Sequence, residues 1–255
     1  MKKIGIIGCG AIGTGIAEYI EAHMKDRASV AALCDIDKEK SDTLSRKITP
    51  NPVVADIERV MKESDLIIES AGVKISGEVA EKALLNKKDV LIMSTGGLLE
   101  KKDLLKKANS IGCNIYIPSG AICGIDGVRA ASIGKIKKVS LTTRKPLKGL
   151  KGSVKDIDKI KEETVVYNGN AKDAVKQFPK NINVAATLSL SGIGPEETKV
   201  MIITAPHYTK NIHEVEVEGE FGKLFTRTEN VPAKENPKTS QLAIFSALAK
   251  LEEIV

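Results

Sequence analysis

Three glycines in the run Gly8-Cys9-Gly10-Ala11-Ile12-Gly13 fall in the order G-x-G-x-x-G, directly after an apolar stretch and before a stretch of helical spacing. In that setting each glycine has its own task. Gly8 permits the tight turn, Gly10 lets the backbone approach a pyrophosphate, and Gly13 lets the helix lie close on the strand. The helix N-terminus, through Ala11, Ile12 and Gly13, presents N–H groups and the positive end of a dipole to phosphate oxygens. Without a ligand the same hexapeptide is a glycine-rich strand-to-helix turn. Asp35 ends the next apolar run, SVAALCDI, where an acid can accept hydrogen bonds from an adenosine ribose. A carboxylate there repels a 2′-phosphate, which favours NAD while leaving NADP possible. Asp37 lies close by and competes for the assignment.

A second set of candidates is later in the chain. Only three histidines occur, His23, His207 and His213. His23 falls in a helix beside a charged segment and reads as a surface residue. Asn211 and His213 are two apart, so a strand starting there points both the same way. Such a pair can orient a substrate, and the imidazole can act as a general acid or base near neutral pH. Taken alone, a histidine in a strand is as readily structural. Three stretches that follow apolar runs, 69–72 (ESAG), 94–97 (STGG) and 119–122 (SGAI), are small and polar. In a parallel sheet such strand ends line the ligand crevice, although ordinary strand-to-helix turns favour the same residues. Of the four cysteines, Cys9, Cys34, Cys113 and Cys123, no pair has C-x-x-C spacing, so free thiols in a reducing cytoplasm are expected. No metal-ligand set is expected.

These residues need a frame. Apolar runs begin at residues 2, 29, 52, 65, 89 and 113, separated by stretches of helical spacing at 13–23, 37–47, 76–85 and 101–110. Nearly continuous apolar strands alternating with helices predict a Rossmann-type, doubly wound parallel α/β sheet. After Gly124 the pattern changes. KKVSLTTRKP and IHEVEVEG alternate with period two, ETVVYNGN through LSLSG reads as a short strand and a long helix, and VMIITAP and FGKLFTRTEN add strands. This predicts a second α+β domain with a mainly antiparallel sheet. The tail from 237 has helical spacing and is expected to return to the first domain, giving domains at 1–122 plus 237–255 and at 123–236.

Composition bounds the rest. The chain has 255 residues, of which 42% are hydrophobic and 28% charged, ordinary for a globular protein with a buried core. No apolar run approaches the length of a membrane span. The net charge of +6 rests on 33 Lys and six Arg scattered among acids, and no Trp is present. A solvated lysine-rich surface explains that balance better than nucleic-acid binding.

The turn GCGAIG, the loop STGGL, the segment PSGAI, the helix NINVAATLSLSG, the run NIHEVEVEG and the tail PKTSQLAIFSAL together resemble the L-aspartate dehydrogenase family, over essentially the whole chain. The order PSGAI, NINVAA, Asn-x-His carries the resemblance, because G-x-G-x-x-G is shared by many dehydrogenases. The resemblance implies NAD(P)-dependent oxidation of L-aspartate to iminoaspartate, which hydrolyses to oxaloacetate and ammonia or feeds quinolinate and NAD biosynthesis. It implies that His213 is the active-site histidine, that Ala121 and Asn183 contact the cofactor, and that Asn211 contacts the substrate. It also implies a cytoplasmic homodimer. Cys123-Gly124 departs from the family pattern. Two alternatives stay open on the residues alone. One is another two-domain NAD(P) reductase, of dihydrodipicolinate or homoserine type, where a catalytic Lys or a His-rich stretch would be expected. The other is a non-catalytic NAD(H) sensor, which would not need His213.

Overall fold

In the computed structural model, which describes every residue except Lys102, residues 179–182, Glu235, Pro237 and Lys238, the chain divides into two units. Unit 1 comprises Met1–Pro118 and Ile244–Val255, and unit 2 comprises Ser119–Ala243. The expected boundary at 237 lies outside the described residues.

Unit 1 alternates β1 (Lys2–Ile7), α1 (Ala11–His23), β2 (Ala28–Cys34), α2 (Lys38–Lys47), β3 (Val53–Val54), α3 (Ile57–Glu63), β4 (Leu66–Glu69), α4 (Val73–Leu85), β5 (Asp89–Ile92), α5 (Leu104–Ser110) and β6 (Ile115–Tyr116). All six strands are parallel, in the order β3-β2-β1-β4-β5-β6. The chain therefore winds outward from β1, returns, and winds the other way from β4. The β1/β4 boundary is the switch point at which such sheets bind ligands. Ile4, Ile6, Leu66 and Ile68 are buried in one cluster with Ile16, Ala17, Ile20 and Met24. Each fully buried Ile of this kind contributes about 2 kcal/mol of hydrophobic stabilisation. Helix α3 was not expected. Its cue is Asp56, whose carboxylate accepts from the Arg59 N–H at 2.8 Å and so caps a helix of only seven residues.

Unit 2 contains α6 (Ile125–Ala131), β7 (Ile136–Pro146), α7 (Leu147–Leu150), β8 (Thr164–Asn170), α8 (Ala171–Gln177), α9 (Asn183–Ser191), β9 (Lys199–Ala205), β10 (Asn211–Gly219) and β11 (Gly222–Asn230). The last helix, α10 (Gln241–Ile254), runs from unit 2 into unit 1. The sheet order is β11-β10-β7-β9-β8, with every neighbouring pair antiparallel except β7 with β9. Instead of one long helix after β8 there are two, α8 and α9. Phe178, which ends α8, has φ −127° and ψ 52°. Pro179 follows it, and a residue before proline is driven from helical geometry. Helix α6 was also not expected; it follows Gly124, whose φ of +78° turns the chain into it.

Period two places Val139, Leu141, Thr143 and Lys145 of β7 on one buried face with His213, Val215 and Val217 of β10. Helix α9 lies against β7 and α6. On the opposite face, Glu214 pairs with Arg144 and Arg227, and Glu216 pairs with Lys138 at 2.6 Å and Lys223 at 3.3 Å.

Candidate active site

The phosphate turn of unit 1 shows why its glycines are needed. Gly8 has φ +101°, and a Cβ there would stand 2.5 Å from the Ala71 nitrogen. A Cβ at Gly13 would overlap the Gly8 carbonyl oxygen. Gly10 differs, since a Cβ added there would enter open space. Gly10 is also the N-cap of α1, and Thr14 N–H donates to its carbonyl at 2.8 Å. The N–H groups of Ala11, Ile12 and Gly13 thus precede the first helical bond and point out of the helix end. The open side at Gly10 and this set of donors fit a phosphate-bearing ligand.

Asp35 follows β2 and is tied into the same turn. Its carboxylate accepts from Cys9 N–H at 2.7 Å and from Asp37 N–H at 2.9 Å. A carboxylate has about four acceptor positions, so capacity remains for ribose hydroxyls. Asp37, the competing acid, instead caps α2 by accepting from Glu39 N–H. Cys9 is buried, and burial, reinforced by Asp35, pushes its thiol up to about 12. It therefore stays protonated and is no nucleophile.

The strand ends 69–72 and 94–97 are joined by Glu69, which the sequence marks only as one member of a small, polar crevice-lining stretch. Glu69 ends β4 and is fully buried. Its carboxylate accepts from the N–H groups of Ala71 (2.8 Å), Gly72 (2.9 Å) and Ser94 (3.0 Å). Burial raises its pKa, against the pull of these donors. Ser70 Oγ donates to the Gly8 carbonyl at 2.7 Å. The loops after β1, β4 and β5 are thus linked around the switch point.

Unit 2 gathers its polar residues at one end of the buried sheet face. His213 is 4% exposed, and its Nδ1 is 3.0 Å from Thr143 Oγ1, directly opposite on β7. Asn211 is the first residue of β10 and lies on the same face. By the register that sets Ile212 opposite Arg144, Asn211 falls beside Lys145. Burial, then the charge of Lys145, push His213 down to about 3, so the imidazole is neutral at physiological pH. Lys145 is 7% exposed, and burial lowers its ammonium to about 8. Sequence reasoning left the cations of the site unassigned. The cue for Lys145 is its phase, because it occupies the buried alternation of VSLTTRK after Val139, Leu141 and Thr143.

The third strand-end stretch, 119–122, belongs to unit 2. The Ala121 carbonyl accepts from Thr228 Oγ1 at 2.9 Å and from Asn230 Nδ2 at 3.0 Å. Thr228 stands opposite His213 on β11, and Asn230 opposite Asn211. Unit 2 therefore brings Ala121, Asn211 and His213 to one end of one sheet. Asn183 opens α9, the helix that packs on β7. Gly8, Gly10, Ala11, Ile12, Gly13 and Asp35 form the other group, in unit 1. Cys123 is exposed, and its carbonyl accepts from Thr226 Oγ1 at 3.2 Å. His207 is also exposed.

A family model described as aspartate dehydrogenase, C-terminal, matches residues 126–254. A model described as homoserine dehydrogenase, NAD binding domain, matches residues 8–118. Among curated proteins, the L-aspartate dehydrogenase of Methanosarcina barkeri is 44% identical over 265 aligned positions, covering 100% of this chain and 97% of that protein. The L-aspartate dehydrogenase of Methanosarcina mazei is 43% identical with the same coverage. Among solved structures, aspartate dehydrogenase from Thermotoga maritima superposes with a TM-score of 0.78 at 27% identity, covering 100% of this chain and 97% of that one. The first-half match and these dehydrogenase relatives support a nicotinamide cofactor.

Proposed function

The chain belongs to the aspartate dehydrogenase family, and from that premise we propose that it oxidises L-aspartate at Cα to iminoaspartate, with NAD preferred over NADP. The product hydrolyses to oxaloacetate and ammonia or feeds quinolinate and NAD biosynthesis. The observation that carries this reading is the neutral, buried His213, fixed by Thr143 and flanked on its own face by Asn211 and Lys145. The cofactor is assigned to the domain read over 1–122 and 237–255, and the substrate to 123–236.

Gly8, Gly10, Gly13 and the N–H groups of Ala11 and Ile12 would hold the pyrophosphate, Asp35 the adenosine ribose, and Ala121 and Asn183 the remainder of the cofactor. When bound, the nicotinamide supplies the hydride acceptor. L-Aspartate loses a hydride from Cα and a proton from nitrogen to give the C=N bond. Its amine arrives as an ammonium, so a proton must leave before the nitrogen lone pair can form that bond. His213 is the acceptor the geometry offers. With Nδ1–H donating to Thr143 Oγ1, Nε2 is left with its lone pair toward the substrate. A positioned imidazole in this role contributes on the order of a hundredfold or more in rate. Asn211 adds a hydrogen-bonding amide on the same face that orients the substrate. Asp35 supports the NAD preference, since an additional phosphate on the ribose would meet its carboxylate.

Absorbance at 340 nm tests this with L-aspartate, D-aspartate, L-glutamate and L-homoserine, each with NAD and NADP, for the wild type and His213→Ala. Turnover confined to L-aspartate, faster with NAD and strongly reduced in the variant, is expected. Flat traces from a protein that binds NADH would overturn the proposal. A homodimer is expected from the family resemblance, and exposed Phe225 and Val165 on the outward side of the second sheet are consistent with pairing there. Light scattering coupled to gel filtration reads the state directly.

A further inference from the structure

The start of α4 is served by a charged residue where a neutral one would do. Its N-cap, Gly72, has φ +129° and no side chain to accept from the first turn. A serine or asparagine at such a position caps a helix without burying a charge. Here the acceptor is Glu69, three residues upstream and fully buried at the end of β4. Its Oε1 accepts from the N–H groups of Ala71 (2.8 Å) and Gly72 (2.9 Å), and its Oε2 from that of Ser94 (3.0 Å). Both oxygens act as acceptors, which is the pattern of the ionised form. The positive end of the α4 dipole joins these donors in favouring an anion, against the burial that opposes it. The residue also stands at a particular place. Strand β4 flanks the switch point with β1. The 70–71 peptide abuts the phosphate turn, since a Cβ at Gly8 would stand 2.5 Å from the Ala71 nitrogen, and Ser70 Oγ donates to the Gly8 carbonyl at 2.7 Å. Through Ser94 the same carboxylate holds the loop after β5, and the Ser94 carbonyl in turn accepts from Ser76 Oγ of α4 at 2.7 Å. One buried carboxylate thus stands behind the ends of β1, β4 and β5.

We propose that Glu69 is a positioning residue of the cofactor crevice whose charge discriminates between the two forms of the nicotinamide. This rests on the dehydrogenase reading above. The oxidised ring is a cation and the reduced ring is neutral. A fixed anion behind the strand ends, buried and so little screened by salt, favours the cation over the neutral form. A serine cap would shape the loops equally well and would leave the two forms undistinguished. For a protein that takes up the oxidised cofactor and releases the reduced one, the bias runs in the direction of amino-acid oxidation.

The test uses Glu69→Gln, which keeps the shape of the side chain and removes its charge. Calorimetry gives Kd for NAD and for NADH, for the wild type and the variant, at a temperature well below both melting points. An amide offers one acceptor and one donor group, so its NH2 must face either the Ala71 and Gly72 N–H groups or that of Ser94. Both affinities should therefore fall, and the fall should be about three- to tenfold larger for NAD than for NADH. A ratio of the two dissociation constants equal to that of the wild type, whether or not both affinities fall, is what a merely structural residue gives. It overturns the proposal while leaving the dehydrogenase reading standing. If the wild type binds neither form, the nicotinamide reading fails and this assignment falls with it. Should Glu69→Gln not fold, infrared difference spectra of the wild type, with 13C at the glutamate carboxyls, are recorded on exchanging bound NADH for NAD. A glutamate carboxylate band should shift, and a difference spectrum without one overturns the proposal.

Discussion

The buried His213 makes stability depend on pH in a defined direction. In the folded chain it takes a proton only near pH 3, held down first by burial and then by Lys145. In the unfolded chain an ordinary histidine takes one near 6.5. Below pH 6.5 the unfolded state therefore binds a proton that the folded state refuses, and stability falls as pH falls toward 3. Each pH unit inside that window is worth about 1.4 kcal/mol, so lowering pH from 6.5 to 4.5 costs about 2–3 kcal/mol through this residue alone. His213→Gln keeps an amide that can meet Thr143 and removes the titration. Urea unfolding of the wild type and the variant, followed by circular dichroism at pH 7, 6, 5 and 4.5, isolates the effect because the other titrating groups are common to both. The stability gap between the two proteins should shift by about 2–3 kcal/mol in favour of the variant between pH 6.5 and 4.5. A gap that does not change with pH would mean that His213 titrates alike in both states, and the reasoning from its burial would fall.

Gly13 and Gly10 should separate fold from function. Gly13→Ala should destabilise the first unit by about 1–3 kcal/mol or more, read as a lower melting temperature, because its Cβ overlaps the Gly8 carbonyl. Gly10→Val should leave the melting temperature near wild type but weaken NADH binding tenfold or more in a fluorescence titration, since its side chain occupies space open to a ligand. Asp35→Ser should raise the ratio of kcat/KM with NADP to that with NAD at least tenfold, while NAD binding also weakens because Cys9 N–H loses its acceptor. Asn230→Ala removes a buried amide that donates to Ala121 and accepts from Ser240. A thermal melt should show a loss of about 1–3 kcal/mol, and steady-state kinetics a raised KM.

Local patterns were legible where residue type and backbone need coincide. The glycines at 8, 10 and 13 could be read one by one because each meets a different steric demand, and HEVEVEG declared its two faces because valines and glutamates alternate strictly. The likeness to the L-aspartate dehydrogenase family could be read from short motifs spread over the chain, although none of them specifies a reaction in isolation. What stayed illegible was long-range. Glu69 looks like the polar end of a strand until the backbone donors it serves, 2, 3 and 25 residues away, are brought around it. Lys145 is one of 33 lysines in sequence and acquires meaning only when β10 is set beside β7. The division of one expected helix into α8 and α9 was signalled by Pro179 and outweighed by the apolar spacing around it. Helices α3 and α6, seven residues each, are too short for periodicity to reveal.

The last helix carries a consequence for how the protein is made. Ala247 and Leu251 of α10 lie in the core built by Ile16, Ala17, Ile20 and Met24, and Glu252 accepts from Tyr19 and Arg27. The first 118 residues leave the ribosome long before those partners exist. A nascent chain therefore carries the α1 side of its parallel sheet uncovered through the whole synthesis of unit 2, an interval in which exposed apolar surface invites chaperones or aggregation. The dinucleotide unit is completed only after unit 2 has been synthesised, because its closing segment, Ile244–Val255, follows Ser119–Ala243 in the chain. Force-sensing arrest fusions of increasing length should register the unit's folding only after α10 has cleared the exit tunnel.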